Sequence, residues 1–175
     1  MLLIKGLRFR HVLITLCLVA LAGAMAGCAK ESLESQSRFA DDVSRDMETV
    51  RMWLIQHKKD SGTVLHPSGI IYKIIDEGDR SDTIDLEEIP VVTFTRRLFP
   101  SEQIVEAAPL PTSFDNRKLK DHIPGWRIGL PLISKGGRIL MYIPARLAFA
   151  NIGIPGRIPP NSILICDVTL IDIRK

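Results

Sequence analysis

Covalent and metal-based chemistry find few footholds among these 175 residues. The chain has no Gly-x-Ser-x-Gly, no Walker-type phosphate loop and no His-Glu-x-x-His. Its four histidines, His11, His57, His66 and His122, are scattered without metal-ligand spacing, so no metal is expected. Glu87 and Glu88 are sequence neighbours in a polar stretch and make a poor acid/base pair. Gly136-Gly137 opens a strand pattern and reads as a tight turn rather than a phosphate cradle. What remains is chemistry that needs no nucleophile and no cofactor, carried out by binding. The residues suited to it are apolar and aromatic. Trp126 stands in Ile123-Pro124-Gly125-Trp126-Arg127-Ile128-Gly129-Leu130, and Phe149 in Leu147-Ala148-Phe149-Ala150.

The elements around these residues follow from periodicity. Pro124 and Gly125 seat Trp126 at the start of a short helix. Strand patterns cover Ile70 to Asp76, Val91 to Phe99, Gly137 to Ile143 and Ile163 to Ile173. In the second of these, Val92, Phe94 and Arg96 share one face; in the third, Ile139, Met141 and Ile143 point inward; in the fourth, Cys166, Val168 and Leu170 share a face. A shorter strand is expected from Gln103 to Ala107, broken by Pro109-Leu110-Pro111. The stretch from Pro144 to Asn161 is dense in Pro and Gly, long for an idle loop, and reads as functional. From about Arg38 to Lys59, Phe39, Val43, Met47, Val50 and Leu54 recur at helical spacing, with Asp41 and Asp42 near the start of the helix. That helix packs on the domain behind it or, alternatively, forms a homodimer contact through residues 38–59. An α+β domain results: a twisted antiparallel β-sheet wrapped around a short central helix, preceded by an amphipathic helix.

Ahead of these elements the chain carries a leader. Lys5, Arg8 and Arg10 precede an apolar run from Val12 to Ala22 and a small-residue stretch ending Met25-Ala26-Gly27-Cys28. The run is short for a spanning helix. Removing those three cations from the 23 Lys and Arg leaves 20, matching the 20 Asp and Glu, so the formal charge of +3 belongs to the leader and no nucleic-acid partner is expected. With Cys17 in the leader and Cys28 at its end, Cys166 is left alone inside a strand and no intramolecular disulfide is expected. The expected organisation is a signal peptide over 1–27, a polar tether over 28–37, the amphipathic helix over 38–62 and one domain over 63–175.

Two resemblances sharpen this reading. Leu21 to Cys28 resembles a bacterial lipoprotein signal, which implies acylation of Cys28 and a lipid-anchored protein of the cell envelope; Ala29 after Cys28 resembles lipoproteins sent to an outer membrane, here facing the periplasm. The longer resemblance is to FKBP-type peptidyl-prolyl cis-trans isomerases. It runs through Ile123, Gly125, Trp126 and Gly129, then Gly136 and Arg138, Pro144, Ala148-Phe149, Gly153, Pro155-Gly156, Ile158-Pro159-Pro160, Leu164, Asp167-Val168 and Leu170, and more weakly back to Pro67.

That resemblance implies rotation about the Xaa-Pro bonds of exported polypeptide clients. The barrier is about 18–20 kcal/mol because amide resonance must be broken. An apolar pocket that binds the twisted amide better than either planar form lowers it without covalent chemistry. Carried over residue by residue, Trp126 matches the pocket floor and Ile123 the residue whose backbone meets the peptide. Phe149 and Phe94 stand where the family commonly has Tyr, Val105 and Glu106 where it has Phe-Asp, Ile154 on the bordering loop, and Cys166 in place of an aromatic. These substitutions keep open an FKBP-like binding or chaperone module with weakened catalysis. A structural envelope component that dimerises through its helix is a third reading.

Overall fold

The computed structural model describes residues 34–80 and 83–175. The leader, Cys28 and most of the expected tether lie outside them. Residues 34–37, expected in the tether, are already helical. The first helix, α1, covers 34–56, so Asp41 and Asp42 are not at its start. Instead Asp42 takes an ion pair from Arg146 at 2.7 Å, and hydrogen bonds from Arg146 and Arg45 hold its carboxyl below the usual range.

Six strands follow: β1 (Val64–Leu65), β2 (Ile71–Asp76), β3 (Ile89–Leu98), β4 (Ile104–Thr112), β5 (Arg138–Ile143) and β6 (Leu164–Arg174). They form one sheet in the order β1-β2-β5-β6-β3-β4, antiparallel at every pairing. Its spine is the β3–β6 ladder from Ile89↔Arg174 to Leu98↔Leu164. The two-residue β1 was not expected from sequence, β3 begins two residues before Val91, and β4, expected to end at Ala107, continues through Pro109 and Pro111. It can do so because it is an edge strand, where a missing N–H costs no ladder bond. A register shift between Val92↔Thr112 and Phe94↔Ala108 takes up the exposed segment Pro109-Leu110-Pro111.

The sheet buries both faces. On the inner face, Val92, Phe94, Ile139, Met141, Ile143, Leu164, Cys166, Val168 and Leu170 are all buried, following the period-two alternation. Covering them is the second helix, α2 (Pro124–Gly129), with Pro at its first position. It lies flush on β5: a Cβ at Gly125 would fall 2.5 Å from Ile143 and one at Gly129 2.1 Å from Met141. The two glycines are therefore what lets the backbone approach closely enough to press Trp126 into the core. On the outer face, Val50 and Leu54 of α1 pack with Ile71, Tyr142 and Ile165, and Asp46 accepts a hydrogen bond from the Ala145 N–H at 2.9 Å. The α1 face is thus spent on its own domain from Val43 onward, while Phe39, Met52 and Ile55 stay exposed.

Candidate functional site

The site is built around Trp126. Its backbone N–H bonds to the Ile123 carbonyl at 3.0 Å, fixing the first turn of α2, and its side chain is wholly buried. Three rings pack on the indole, and a fourth shares a cation with it. Phe94 of β3 meets it edge-on with centroids 5.2 Å apart, Phe114 does the same at 5.7 Å, and His122 stacks on it at 5.4 Å. Phe94 and Phe114 lie 5.4 Å from each other. The fourth ring, Phe149, stands at the start of the long loop, linked to them through Arg96, whose guanidinium lies 5.3 Å from Phe94, 5.2 Å from Trp126 and 5.3 Å from Phe149.

Arg96 is the residue that the sequence placed on the inner face without giving it a role. It is only 5% exposed. Across the β3–β4 ladder it is the register partner of Glu106, to which it donates a charge-assisted hydrogen bond. Across the β3–β6 ladder its partner is Cys166, a small residue that leaves room for the guanidinium. The Glu106 carboxylate also faces Arg157 of the loop at 4.0 Å. Burial pushes the Cys166 thiol up despite the nearby guanidinium and indole, so it is a packing residue, not a nucleophile. Arg96 Nε and Trp126 Nε1 are buried without a hydrogen-bond partner.

The residues singled out in the sequence therefore gather: Trp126, Phe94, Phe149, Glu106 and Cys166 belong to this cluster, and Val105, Ile123 and Ile154 pack half-buried against the same core. One expectation needs correcting. The hollow above the indole is neither empty nor wholly apolar, because Trp126 has 0% exposure and a cation lies over it. Sequence reasoning missed Arg96, Phe114 and His122. The signal for Arg96 lies in the strand pattern: an arginine in phase with Val92 and Phe94 on a buried face has to find a carboxylate. Burial, then the field of Arg117, lowers His122 to about 4, so it is neutral near pH 7, and its Nε2 is buried without a partner.

The loop from Pro144 to Asn161 is held by its own backbone. Ala150 N–H bonds to the Ala145 carbonyl at 2.8 Å, Ile154 and Ile158 bridge at 2.8 and 2.9 Å, and Asn161 N–H reaches the Ala150 carbonyl at 2.7 Å. Phe149, Ile154 and Arg157 are thereby presented from one ordered segment. Among the described residues, no group of three or more His, Cys, Asp or Glu stands close enough to hold a metal ion.

Comparison with known proteins agrees with this geometry. Residues 95–171 match the family described as FKBP-type peptidyl-prolyl cis-trans isomerase. The chain is 30% identical over 148 residues to the FKBP-type peptidyl-prolyl cis-trans isomerase FkpA of Escherichia coli K12, covering 83% of this chain and 53% of that protein. It is 34% identical over 128 residues to the outer membrane protein MIP of Legionella longbeachae, covering 70% of this chain and 52% of that protein. Thus it spans about half the length of the curated relatives it matches. The crystal structure of E. coli FkpA superposes with a TM-score of 0.64 at 28% identity, over 86% of this chain and 69% of that one. With the sheet order, the buried indole at the start of a short helix and the ordered Pro/Gly loop all in place, residues 95–171 carry a domain that matches the FKBP-type peptidyl-prolyl cis-trans isomerase family.

Proposed function

We propose that this protein is a peptidyl-prolyl cis-trans isomerase acting on Xaa-Pro bonds of exported polypeptides. The observation that carries the reading is the aromatic cluster of Trp126, Phe94, Phe114 and Phe149 on the inner face of an FKBP fold. In this reading the prolyl ring lies on Trp126, walled by Phe94, Phe149, Val105 and Cys166 and bordered by Ile154. The carbonyl of Ile123 is engaged by α2, so its N–H is the group offered to the peptide backbone. Glu106 holds Arg96, and the site works by fitting the twisted amide, without bond-making. The test is the isomerisation rate of a proline-containing tetrapeptide with the full chain. Acceleration that disappears in Trp126→Leu supports the proposal, and no acceleration by the unmodified chain sinks it. Peptide binding without acceleration would instead mark a binding module, which the Phe94, Phe149, Val105 and Cys166 substitutions favour.

The same proposal places the protein in a bacterial envelope. Cys28 would be acylated after removal of residues 1–27, with residues from 28 to the first turns of α1 as the tether, anchoring the domain at an outer membrane facing the periplasm. The relative described as an outer membrane protein is consistent with that. Metabolic labelling with a fatty-acid analogue, abolished by Cys28→Ala, is the check. A homodimer through α1 would have to use the exposed Phe39, Met52 and Ile55, since Val50 and Leu54 are buried within the domain. Light scattering of Met52→Glu against the parent chain tests it.

A further inference from the structure

We propose that Arg96 is a specificity-determining residue of this site: its guanidinium occupies the face of the Trp126 indole that the prolyl ring needs, so clients bind by displacing it, and clients with a carboxylate before the proline displace it most readily. This rests on the isomerase reading only for where the prolyl ring goes.

Three observations converge on it. The indole has 0% exposure although the isomerase reading lays the prolyl ring on it, and the guanidinium stands 5.2 Å over it. The same group lies 5.3 Å from both Phe94 and Phe149, the two rings that would wall a proline, so it sits where three walls meet. Flat and cationic, a guanidinium satisfies such a cage through ring quadrupoles, and a neutral prolyl ring has to replace those contacts before gaining its own. Arg96 is thus a competitor built into the pocket.

Charge makes the displacement selective. Among the described residues Glu106 is the one carboxylate bonded to Arg96, and it is shared with Arg157 at 4.0 Å. Arg117 adds a further cation beside His122, offset by Asp121, while His122 itself is neutral. Cations therefore outnumber anions around the cluster, and Arg96 Nε is buried without a well-formed hydrogen bond. A guanidinium pushed off the indole is stabilised by a second carboxylate at its free edge. An Asp or Glu side chain preceding the proline supplies one, an Ala does not, and a Lys repels it.

The experiment uses the full chain carrying Trp53→Phe, which leaves Trp126 as the sole tryptophan of the 2. Acrylamide quenching reads access to the indole, and titration with synthetic tetrapeptides that differ only in Glu, Ala or Lys before the proline reads affinity through the same fluorescence. We expect Arg96→Ala to raise quenching severalfold and to tighten the Ala-Pro peptide about tenfold. The unmodified residue should bind the Glu-Pro peptide about tenfold more tightly than Ala-Pro, with Lys-Pro weakest, and Arg96→Ala should erase that ranking. Arg96→Met keeps bulk over the ring while removing the charge, so it should leave quenching low and still lose the Glu-Pro preference. Unchanged quenching in Arg96→Ala, weaker Ala-Pro binding in that variant, or equal binding of all three peptides by the parent overturns the proposal. Quenching and ranking that behave as expected, with no acceleration of isomerisation, uphold the role of Arg96 and sink the isomerase reading alone.

Discussion

The molecule uses one cast of residues twice. On the inner face, Trp126 has a stacked histidine, His122, edge-on phenylalanines and a cation, Arg96. On the outer face, Trp53 of α1 has a stacked histidine at 4.2 Å, His57, an edge-on phenylalanine at 5.3 Å, Phe99, and a cation at 4.8 Å, Lys59. Even the carboxylates correspond, Glu106 for Arg96 and Glu102 for Lys59. What differs is water. Trp126 is sealed and the Arg96 side chain is 7% exposed, whereas Trp53 is half-buried and the Lys59 side chain is 48% exposed. Cation–ring contacts are worth about 0.5–1 kcal/mol in solvent and about 2 kcal/mol or more when desolvated. Composition alone therefore does not make a site; the inner cluster is a place where polar groups are costly to leave unpaired, and the outer one seals a helix onto a sheet.

The sharpest way to break this contrast is truncation of each indole. Trp126→Ala should cost about 3–5 kcal/mol in urea denaturation, and Trp53→Ala on the order of 1–2 kcal/mol because its contacts are partly solvated. Equal losses would mean that the two clusters are energetically alike. Next comes pH. With a folded-state value of about 4 against 6.5 in the unfolded chain, His122 stays neutral in the native protein while the unfolded chain takes up a proton. Its contribution to stability should therefore be full above pH 6.5, fall as the pH drops towards about 4 and level off below, a slope that His122→Phe removes from the stability curve.

Smaller effects refine the comparison. Phe149→Tyr restores a hydroxyl beside the guanidinium; in the tetrapeptide assay it should raise kcat/KM by roughly 2- to 12-fold, the equivalent of about 0.5–1.5 kcal/mol for one hydrogen bond. A tyrosine that changes nothing would show that the wall near Phe149 does not touch the reacting amide. Smallest of all, Lys59→Ala should cost less than about 1 kcal/mol in thermal melts, since its pair with Glu102 at 2.7 Å is solvent-screened.

Most of the scaffold was readable from residues alone. Alternation placed Ile139, Met141 and Ile143 and then Cys166, Val168 and Leu170 on the buried face, and the Pro-Gly-Trp run marked the short helix. The parts that were not readable depend on register between distant strands. Arg96 and Glu106 meet because β4 pairs with β3 in the one register that sets them opposite each other, between two register shifts, and neither strand's own alternation specifies that register. Phe114 sits in the turn after β4, where no periodicity exists to point it at the indole. His122 looked like one of four unrelated histidines, and only the fold stacks it on Trp126.

Both ends of the sheet are poor templates for further pairing. One outermost strand, β1, has only two residues, and the other, β4, carries two prolines and pairs across two register shifts. Neither offers a long row of free amides to a stray extended segment. A protein proposed to work among incompletely folded chains is thereby poorly suited to being recruited into their aggregates: it can handle exposed strands without becoming the next one in the stack.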